Sequence, residues 1–523
     1  MKKQIWTLNT VIYSLWVLLA LGSGLYISHW DAMPWQLIGR FWMLLAGIGV
    51  LCPLLLKKIR EWKPGKHMFG SRLSPWAFRG ICFGCSMAVL GFCFLGVLPG
   101  GFDGDPRMQT LQVLSGKYND YYPVAHTLLA FKLPLLLTGG WLPSVILFQI
   151  LLFSAALTYL CETVRSYSDT LRALISLAVI LANPITQSYL MYGYKDETFG
   201  MCAMVLVCMN AHILFSKGEW LKKRSHWICF SLFLGLACLV RYNGLLFALP
   251  CLAGAALCVS WKRSLAAGAA ALMLVAGIRG PLSWALGVEK TEDRSSQTLG
   301  LPMSVIGGAV TYRPERLDEE VLQFAGSVAP REVWEEKYTW GVYNWVDWDE
   351  RSNHQAVADA GLGGVLKYMF RAFQGAPKES LKALIETTDI VYGLMPDKQP
   401  DGRVFVSAEQ LGGKYQGVPW IEKVMEGYRG LMYLIAPHAF LHSGVTLFLL
   451  MTVGLARWPL TRRKSWKRIL PVLSVFAYNL VTMLMLFGWQ DGARFFHYSL
   501  WVCPVLLVML VRDGIPEEKL HAV

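Results

Sequence analysis

The chain has 523 residues, 54% of them hydrophobic and 16% charged, with 21 tryptophans and a formal net charge of +13. Soluble domains carry roughly 25% charged residues, and apolar runs such as Val11 to Ile27 or Leu470 to Phe487 exceed what ordinary soluble cores can hide. The composition excludes a soluble, disordered, collagen-like or disulfide-scaffold chain, and the positive total acquires meaning only when it is mapped along the sequence.

Mainly apolar runs of about 18 to 22 residues, enough to cross a hydrocarbon layer of roughly 30 Å as helices, fall near 9–28, 39–56, 79–98, 141–161, 170–188, 198–216, 226–241, 242–260, 264–285, 435–456, 469–488 and 494–511. The pattern predicts an all-α polytopic membrane protein with about twelve transmembrane helices. The stretch Thr127 to Thr138 is shorter and interrupted by Lys132 and Pro134, so 126–138 reads as an interfacial helix.

Lysine and arginine in short loops set orientation. Lys2 and Lys3, the turn with Lys57, Lys58, Arg60, Lys63, Lys66, Arg72 and Arg79, and the turns with Lys217, Lys222, Lys223 and Arg224, with Lys262 and Arg263, and with Arg457, Arg462, Arg463, Lys464, Lys467 and Arg468 all share one side if 126–138 does not cross. Both termini are then expected in the cytoplasm of a multi-pass cell-membrane protein, the first span being a retained signal-anchor. The chain divides into an N-terminal bundle (1–285) with an outer loop (99–125), a mostly helical extracytoplasmic domain (286–434) and C-terminal spans (435–523). From Gly287 to Ala436 there are roughly six more acidic than basic residues, as expected of translocated chain. Within it, Gly361 to Tyr392 suggests a pair of amphipathic helices resting on the membrane surface. All twelve cysteines lie in or beside predicted spans, which argues against disulfides. The basic residues occupy scattered short turns, so a nucleic-acid partner is not expected.

Chemistry-bearing residues collect in four turns on the predicted outer face. The first contains Asp103, Asp105, Gln109, Gln112, Asp120, Tyr121, Tyr122 and His126; the second is Tyr194-Lys195-Asp196-Glu197; the third is Arg241-Tyr242-Asn243-Gly244; the fourth runs from Trp489 through Asp491 and Arg494 to Tyr498. Taken singly, these are a solvated Gly-rich loop, acids complementing a helix dipole and interface anchors. Together they place acids and cations on one side of one bundle. Lys195, Arg241 and Arg494 suit a phosphate held by charge-assisted hydrogen bonds, while Asp105 or Asp103 suits proton removal from a sugar hydroxyl.

In the order and side of these elements the chain resembles the GT-C superfamily of membrane glycosyltransferases, which includes protein O-mannosyltransferases and aminoarabinose transferases. The resemblance covers roughly residues 80 to 260 and the last span: the Asp103/Asp105 pair, Asp105-Pro-Arg-Met-Gln109, Asp120-Tyr-Tyr-Pro123, His126, Lys195-Asp196-Glu197, Arg241-Tyr-Asn-Gly244 and Arg494-Phe-Phe-His-Tyr498. It implies a GT-C-like bundle and transfer of a sugar from a polyprenyl-phosphate donor to an extracytoplasmic glycan, lipid or protein acceptor. Carried onto this chain, Asp105 is the base, with Asp103 the rival assignment. Lys195 and Arg241 bind the phosphate, Asp196 and Glu197 organise Lys195 or touch the acceptor, Arg494 closes the pocket, and Asp120, Tyr122 and His126 complete the binding surface. Some members use a divalent metal and others require no cofactor, and no spacing here demands a metal. A lipid-linked oligosaccharide polymerase or ligase shares the arginines and the outer segment but has no need of the early acid pair. A secondary transporter of an envelope precursor predicts charge and Gly/Pro breaks in mid-span, whereas charge here concentrates at helix ends.

Overall fold

A computed structural model describes residues 2–30, 34–61, 73–291, 298–395, 404, 415–440 and 442–512. Lys63, Lys66, Arg72, and the side chains of Lys2, Lys3 and Asp491 lie outside the described residues. The chain is a helical membrane protein. Among the described residues, eight segments are long and apolar enough to cross a membrane: Leu8–Ser28, Ile38–Glu61, Pro75–Gly96, Ser144–Tyr167, Lys195–Phe215, Trp261–Ala285, Arg463–Met485 and Ala493–Val511. The other four predicted spans fold as shorter apolar helices, Thr170–Ala182, Arg224–Val240, Leu245–Ala256 and His442–Arg457.

In chain order the principal helices are α1 (Lys2–Ser28), α2 (Pro34–Glu61), α3 (Pro75–Gly96), α4 (Asp105–Ser115), α5 (Val124–Leu137), α6 (Ser144–Tyr167), α7 (Thr170–Ala182), α8 (Lys195–Phe215), α9 (Arg224–Val240), α10 (Leu245–Ala256) and α11 (Trp261–Ala285). The outer segment contributes α12 (Gly300–Tyr312), α13 (Glu319–Val328), α14 (His354–Gly375), α15 (Pro377–Tyr392) and α16 (Pro419–Ile435). Finally come α17 (His442–Arg457), α18 (Arg463–Thr482), α19 (Trp489–Phe496) and α20 (Tyr498–Val511). A helix apolar all round belongs at the centre of a bundle, and α8 is that column, 89% of its apolar window being buried. Its Gly200 lets the Trp501 ring of α20 approach so closely that a Cβ would lie 2.5 Å from it. By contrast α2 and α11 are peripheral, with 11% of their windows buried.

The helix ends segregate. At one end Asn9 donates to the Leu455 carbonyl (2.8 Å), Trp458 to Leu510 (2.6 Å), Arg165 to Leu73 (2.6 Å) and Trp227 to Arg263 (3.3 Å). The basic turns meet there. At the other end Gly101 N donates to Met191 O (2.8 Å) and Tyr242 Oη to Asp120 O (2.5 Å). Gly100, the entrance to the first outer loop, abuts Ile146 in the first turn of α6, and Thr138 after α5 bonds Ser144 at 3.0 Å. Thus α5 leaves and returns at the same end of the bundle; a π-helical turn, Thr127–Lys132, runs through its middle.

The outer segment has a core of its own, centred on Met303, Ile306, Val321, Trp334, Tyr343 and Val357. It is nonetheless stitched to the bundle. Ile390, Val391 and Tyr392 of α15 and Ile421 and Met425 of α16 belong to the main core. Residues 118–120 pair with 289–291 through Glu289 N to Tyr118 O (2.9 Å) and Asp120 N to Glu289 O (3.0 Å). Tyr343 N donates to Phe487 O (2.6 Å), just ahead of α19.

The amphipathic pair expected over 361–392 forms as helices, and α14 exposes Leu362, Leu366 and Phe370. Gly361 (φ 60°) kinks α14, and much of α15 is buried in protein. Cations along the pair have partners in the protein: Lys367 with Glu320 (2.9 Å), Arg371 with Asp318 (2.8 Å), and buried Lys382 between the Trp30 and Trp340 rings at 3.8 and 4.3 Å. Gly200→Val, which drives a branched side chain into Trp501, is expected to destabilise the bundle by about 1 to 3 kcal/mol, read as a lowered melting temperature in detergent.

Candidate functional site

The first outer loop is shaped by close packing. A Cβ on Gly101 would lie 2.1 Å from the Tyr192 ring, so only glycine lets this strand lie flat on 190–192. Asp103 then accepts from Gly104 N (2.9 Å), Gly104 takes φ 57°, and α4 starts at Asp105 with proline following. On the facing side, the amide of Gln149 in α6 donates to both Leu190 O (3.1 Å) and Tyr192 O (2.6 Å). This anchors the turn that feeds Lys195 into the start of α8.

These two loops bring Lys195 Nζ to 2.6 Å from Asp105 Oδ2. Beyond that pair the charges alternate. Arg494 Nη1 lies 3.7 Å from Asp105, and its Nε 3.5 Å from Asp196 Oδ2. Asp196 also pairs with Arg241, whose Nε donates to Asn243 Oδ1 (3.0 Å), and Asn243 Nδ2 donates to Thr482 Oγ1 (2.7 Å). Aromatic faces hold the cations: Tyr122 below Lys195 at 5.4 Å, Tyr194 below Arg494 at 4.8 Å, and Phe495 below Arg241 at 4.3 Å. All four predicted turns therefore meet in one network.

Exposure grades along it. The side chains of Asp105, Lys195 and Arg494 are 20%, 19% and 20% exposed, whereas those of Asp196 and Arg241 are 1% and 7% exposed. The accessible mouth is thus Asp105, Lys195 and Arg494, with exposed Tyr121 and Tyr242 nearby on the same loops. Burial alone would raise the Asp105 pKa, but Lys195 and Arg494, with hydrogen bonds from Lys195 and Tyr122, outweigh it and hold the carboxyl at about 2, against an ordinary 3.8. Burial and the Asp105 charge push the Tyr122 phenol upward, so it stays a donor.

Glu197 is fully buried, and its Oε1 lies 3.6 Å from His497 Nε2. His497 Nδ1 faces the Arg494 carbonyl at 2.9 Å and must donate to it. The Nε2 contact with Glu197 is then attractive when one proton lies between them, and the pair is neutral whichever group holds it.

Several predicted roles change. Asp103 is exposed and turned into its own loop, outside the network. Arg241 is buried behind Asp196 and acts on it rather than on an incoming anion. Asp120 Oδ1 accepts from Thr291 N (2.8 Å) and Oγ1 (2.6 Å), fastening the outer segment. His126 is wholly buried: Gln109 Oε1 accepts from its Nδ1 (2.7 Å) and from Thr127 Oγ1 (3.0 Å), while Thr198 Oγ1 lies 3.1 Å from Nε2. Burial, then Lys195, push its pKa down to about 3, leaving a neutral brace between α4, α5 and α8. Gln149, Thr198, Tyr478 and Thr482 were not singled out from the sequence; only Gln149, a lone amide in an apolar helix, carried a local signal.

Asp105 pairs with Lys195 and Arg494, Asp196 with Arg241 and Arg494, and Glu197 faces His497. Among the described residues no group of three or more His, Cys, Asp or Glu side chains is gathered to hold a metal ion. No family model, curated protein or solved structure matches this chain.

Two outcomes test this geometry. Gln149→Leu strands two buried carbonyls and should destabilise the protein by roughly 2 kcal/mol or more, measured by thermal unfolding. The native Asp105 pKa lies below its unfolded value, so the pairing stabilises the protein above about pH 4 and is lost as pH falls through about 2. The stability gap between wild type and Asp105→Asn should accordingly be constant near neutrality and shrink below pH 4.

Proposed function

We propose that the protein is a GT-C-type integral membrane glycosyltransferase, moving a sugar from a polyprenyl-phosphate donor to an acceptor outside the cytoplasm. The observation that carries this reading is the mouth of the network: one ionised carboxylate beside two cations at the only partly exposed stretch of an otherwise buried charge ladder. A donor phosphate arriving at Lys195 and Arg494 competes with Asp105 for both cations. As they turn to the phosphate, Asp105 loses its compensation and its pKa rises toward the range of a working base.

The acceptor hydroxyl then attacks the anomeric carbon. A new C–O bond forms to the acceptor, the C–O bond to the phosphate breaks with its electron pair leaving on polyprenyl phosphate, and the hydroxyl proton passes to Asp105. Lys195 and Arg494 stabilise the charge gained by the leaving phosphate. Arg241 and Asp196 keep Arg494 in place, and Tyr122 positions Asp105.

In this reading the twelve apolar helices all cross, the basic end is cytoplasmic with both termini, and the site faces outward. Alkaline phosphatase fused after Gly116 should be active and after Lys217 inactive; the reverse pattern inverts the assignment. Asp105→Asn should lower sugar transfer from a polyprenyl-phosphate donor by at least about a hundredfold, with the protein still inserted and folded. Asp103→Asn should retain activity. If Asp103→Asn is inactive and Asp105→Asn active, the base moves, and activity in both variants removes the mechanism.

A further inference from the structure

The outer segment carries an open cleft that the charge network does not use. Its volume is about 540 Å³, and it is lined by Trp345 and Trp348 together with Glu336, Lys337, Asp349 and Glu350. The two tryptophans are 49% and 65% exposed. Other exposed tryptophans, such as Trp42, Trp76, Trp261 and Trp284, lie on the long apolar segments, where surrounding lipid accounts for them. Trp345 and Trp348 instead stand on the unit that has its own core, in which Trp334 and Tyr343 are buried.

The local sequence holds both rings outward. Val346 and Asp347 are buried on one side of the short helix Asn344–Asp347, which leaves Trp345 and Trp348, three positions apart, on the other. Beneath them Tyr343 stacks on Trp334 (5.8 Å, 24°) and Asp347 faces His354 at 3.2 Å. Trp348 N donates to Asn344 O (2.9 Å) and Ser352 Oγ to Val346 O (2.5 Å), so the backbone under the rings is fixed. The indoles meet edge to face at 90°, centroids 5.5 Å apart, and each limits the rotation of the other. Arg351 clamps the rim, its Nε donating to Asp349 Oδ1 (2.8 Å) and its Nη2 to Glu336 Oε2 (3.2 Å).

Fixed, solvent-facing indoles beside hydrogen-bonding groups suit a ligand that is apolar on one face and polar at its edge. A pyranose ring is such a body: its axial C–H bonds make an apolar face, and its equatorial hydroxyls need acceptors and donors around them. Glu336, Asp349 and Glu350 supply acceptors and Lys337 a donor. Two of these acids already have Arg351 as their cation, so their spare lone pairs suit hydroxyls rather than a ligand amine, and the acids together repel a phosphate or a uronate. The volume falls within the range of about 300 to 1,000 Å³ usual for small-molecule sites. We propose that the cleft is a saccharide-binding site that stacks a neutral pyranose on Trp348, its hydroxyls donating to the carboxylates of the rim. Val342 and Tyr343, just ahead of the two tryptophans, pair with Gly488 and Phe487, just ahead of α19 and Arg494. The cleft and the mouth of the charge network thus hang on one piece of paired backbone, as a hold for a glycan acceptor requires. That role rests on the glycosyltransferase reading; saccharide binding does not.

The test titrates full-length protein in nanodiscs, with no sugar donor present, against maltotriose, cellotriose, mannotriose and chitotriose, and against trigalacturonate and tetramethylammonium, followed by saturation-transfer NMR. A neutral trisaccharide should bind, with saturation strongest on its ring C–H protons, and trigalacturonate and tetramethylammonium should bind more weakly. Trp348→Ala should weaken that binding about tenfold and Trp348→Phe, which keeps a ring, about threefold. Trp284→Ala, which removes an exposed indole elsewhere, should bind as wild type. Binding by none of the neutral trisaccharides, or binding unchanged in Trp348→Ala, overturns the site, and equal loss in Trp284→Ala reduces it to nonspecific contact with indoles. Preference for tetramethylammonium makes the rings a cage for an amine, and preference for trigalacturonate makes the ligand anionic; either overturns the neutral-saccharide assignment. Trisaccharide binding by a protein that transfers no sugar leaves the site standing and removes only the glycosyltransferase reading.

Discussion

Everything at the outer end depends on the alternation of charge that runs from Lys195 through Asp105, Arg494 and Asp196 to Arg241. An isolated ion buried in a membrane protein is prohibitively costly, and removing one partner of a buried pair leaves the other uncompensated. Each member is therefore tolerable only because its neighbours come from other helices: α4, the start of α8, the end of α9 and α19. The ladder is at once the cement of the outer end and its candidate chemistry.

Its supports are chosen to keep it in register. Gly101 lying against Tyr192 and Gln149 gripping the carbonyls of 190 and 192 set the distance between Asp105 and Lys195. Asn243 and Thr482 fix Arg241 from behind, and His126 wedges α4 and α5 against Thr198. The outer segment joins at two places, through Asp120 to Thr291 and through Tyr343 to the backbone ahead of α19. Both junctions adjoin the ladder's supports: Asp120 is followed by Tyr121 and Tyr122, the ring beside Lys195, and Phe487 leads into α19, which carries Arg494.

The helical membrane architecture was legible in the sequence because apolar runs long enough to cross lipid have few other uses, and every predicted run is a helix. Four of them are shorter than a full span, since Gly, Pro and Asn near their ends, as in Asn183-Pro184 and Asn243-Gly244, stop helices that hydropathy alone continues. The four polar turns were legible too, because ionisable residues between apolar spans stand out. Their roles were not: Asp103 and Asp105 are two residues apart and alike in type, and only the positive φ of Gly104 turns one away while the other meets Lys195. Arg241 reads as a free cation until the fold buries it behind Asp196, and Lys382 as a surface lysine until two tryptophans close on it. Sequence determines which groups are costly in a membrane; tertiary structure decides which of them compensate one another, because compensation acts over a few ångströms between residues hundreds of positions apart.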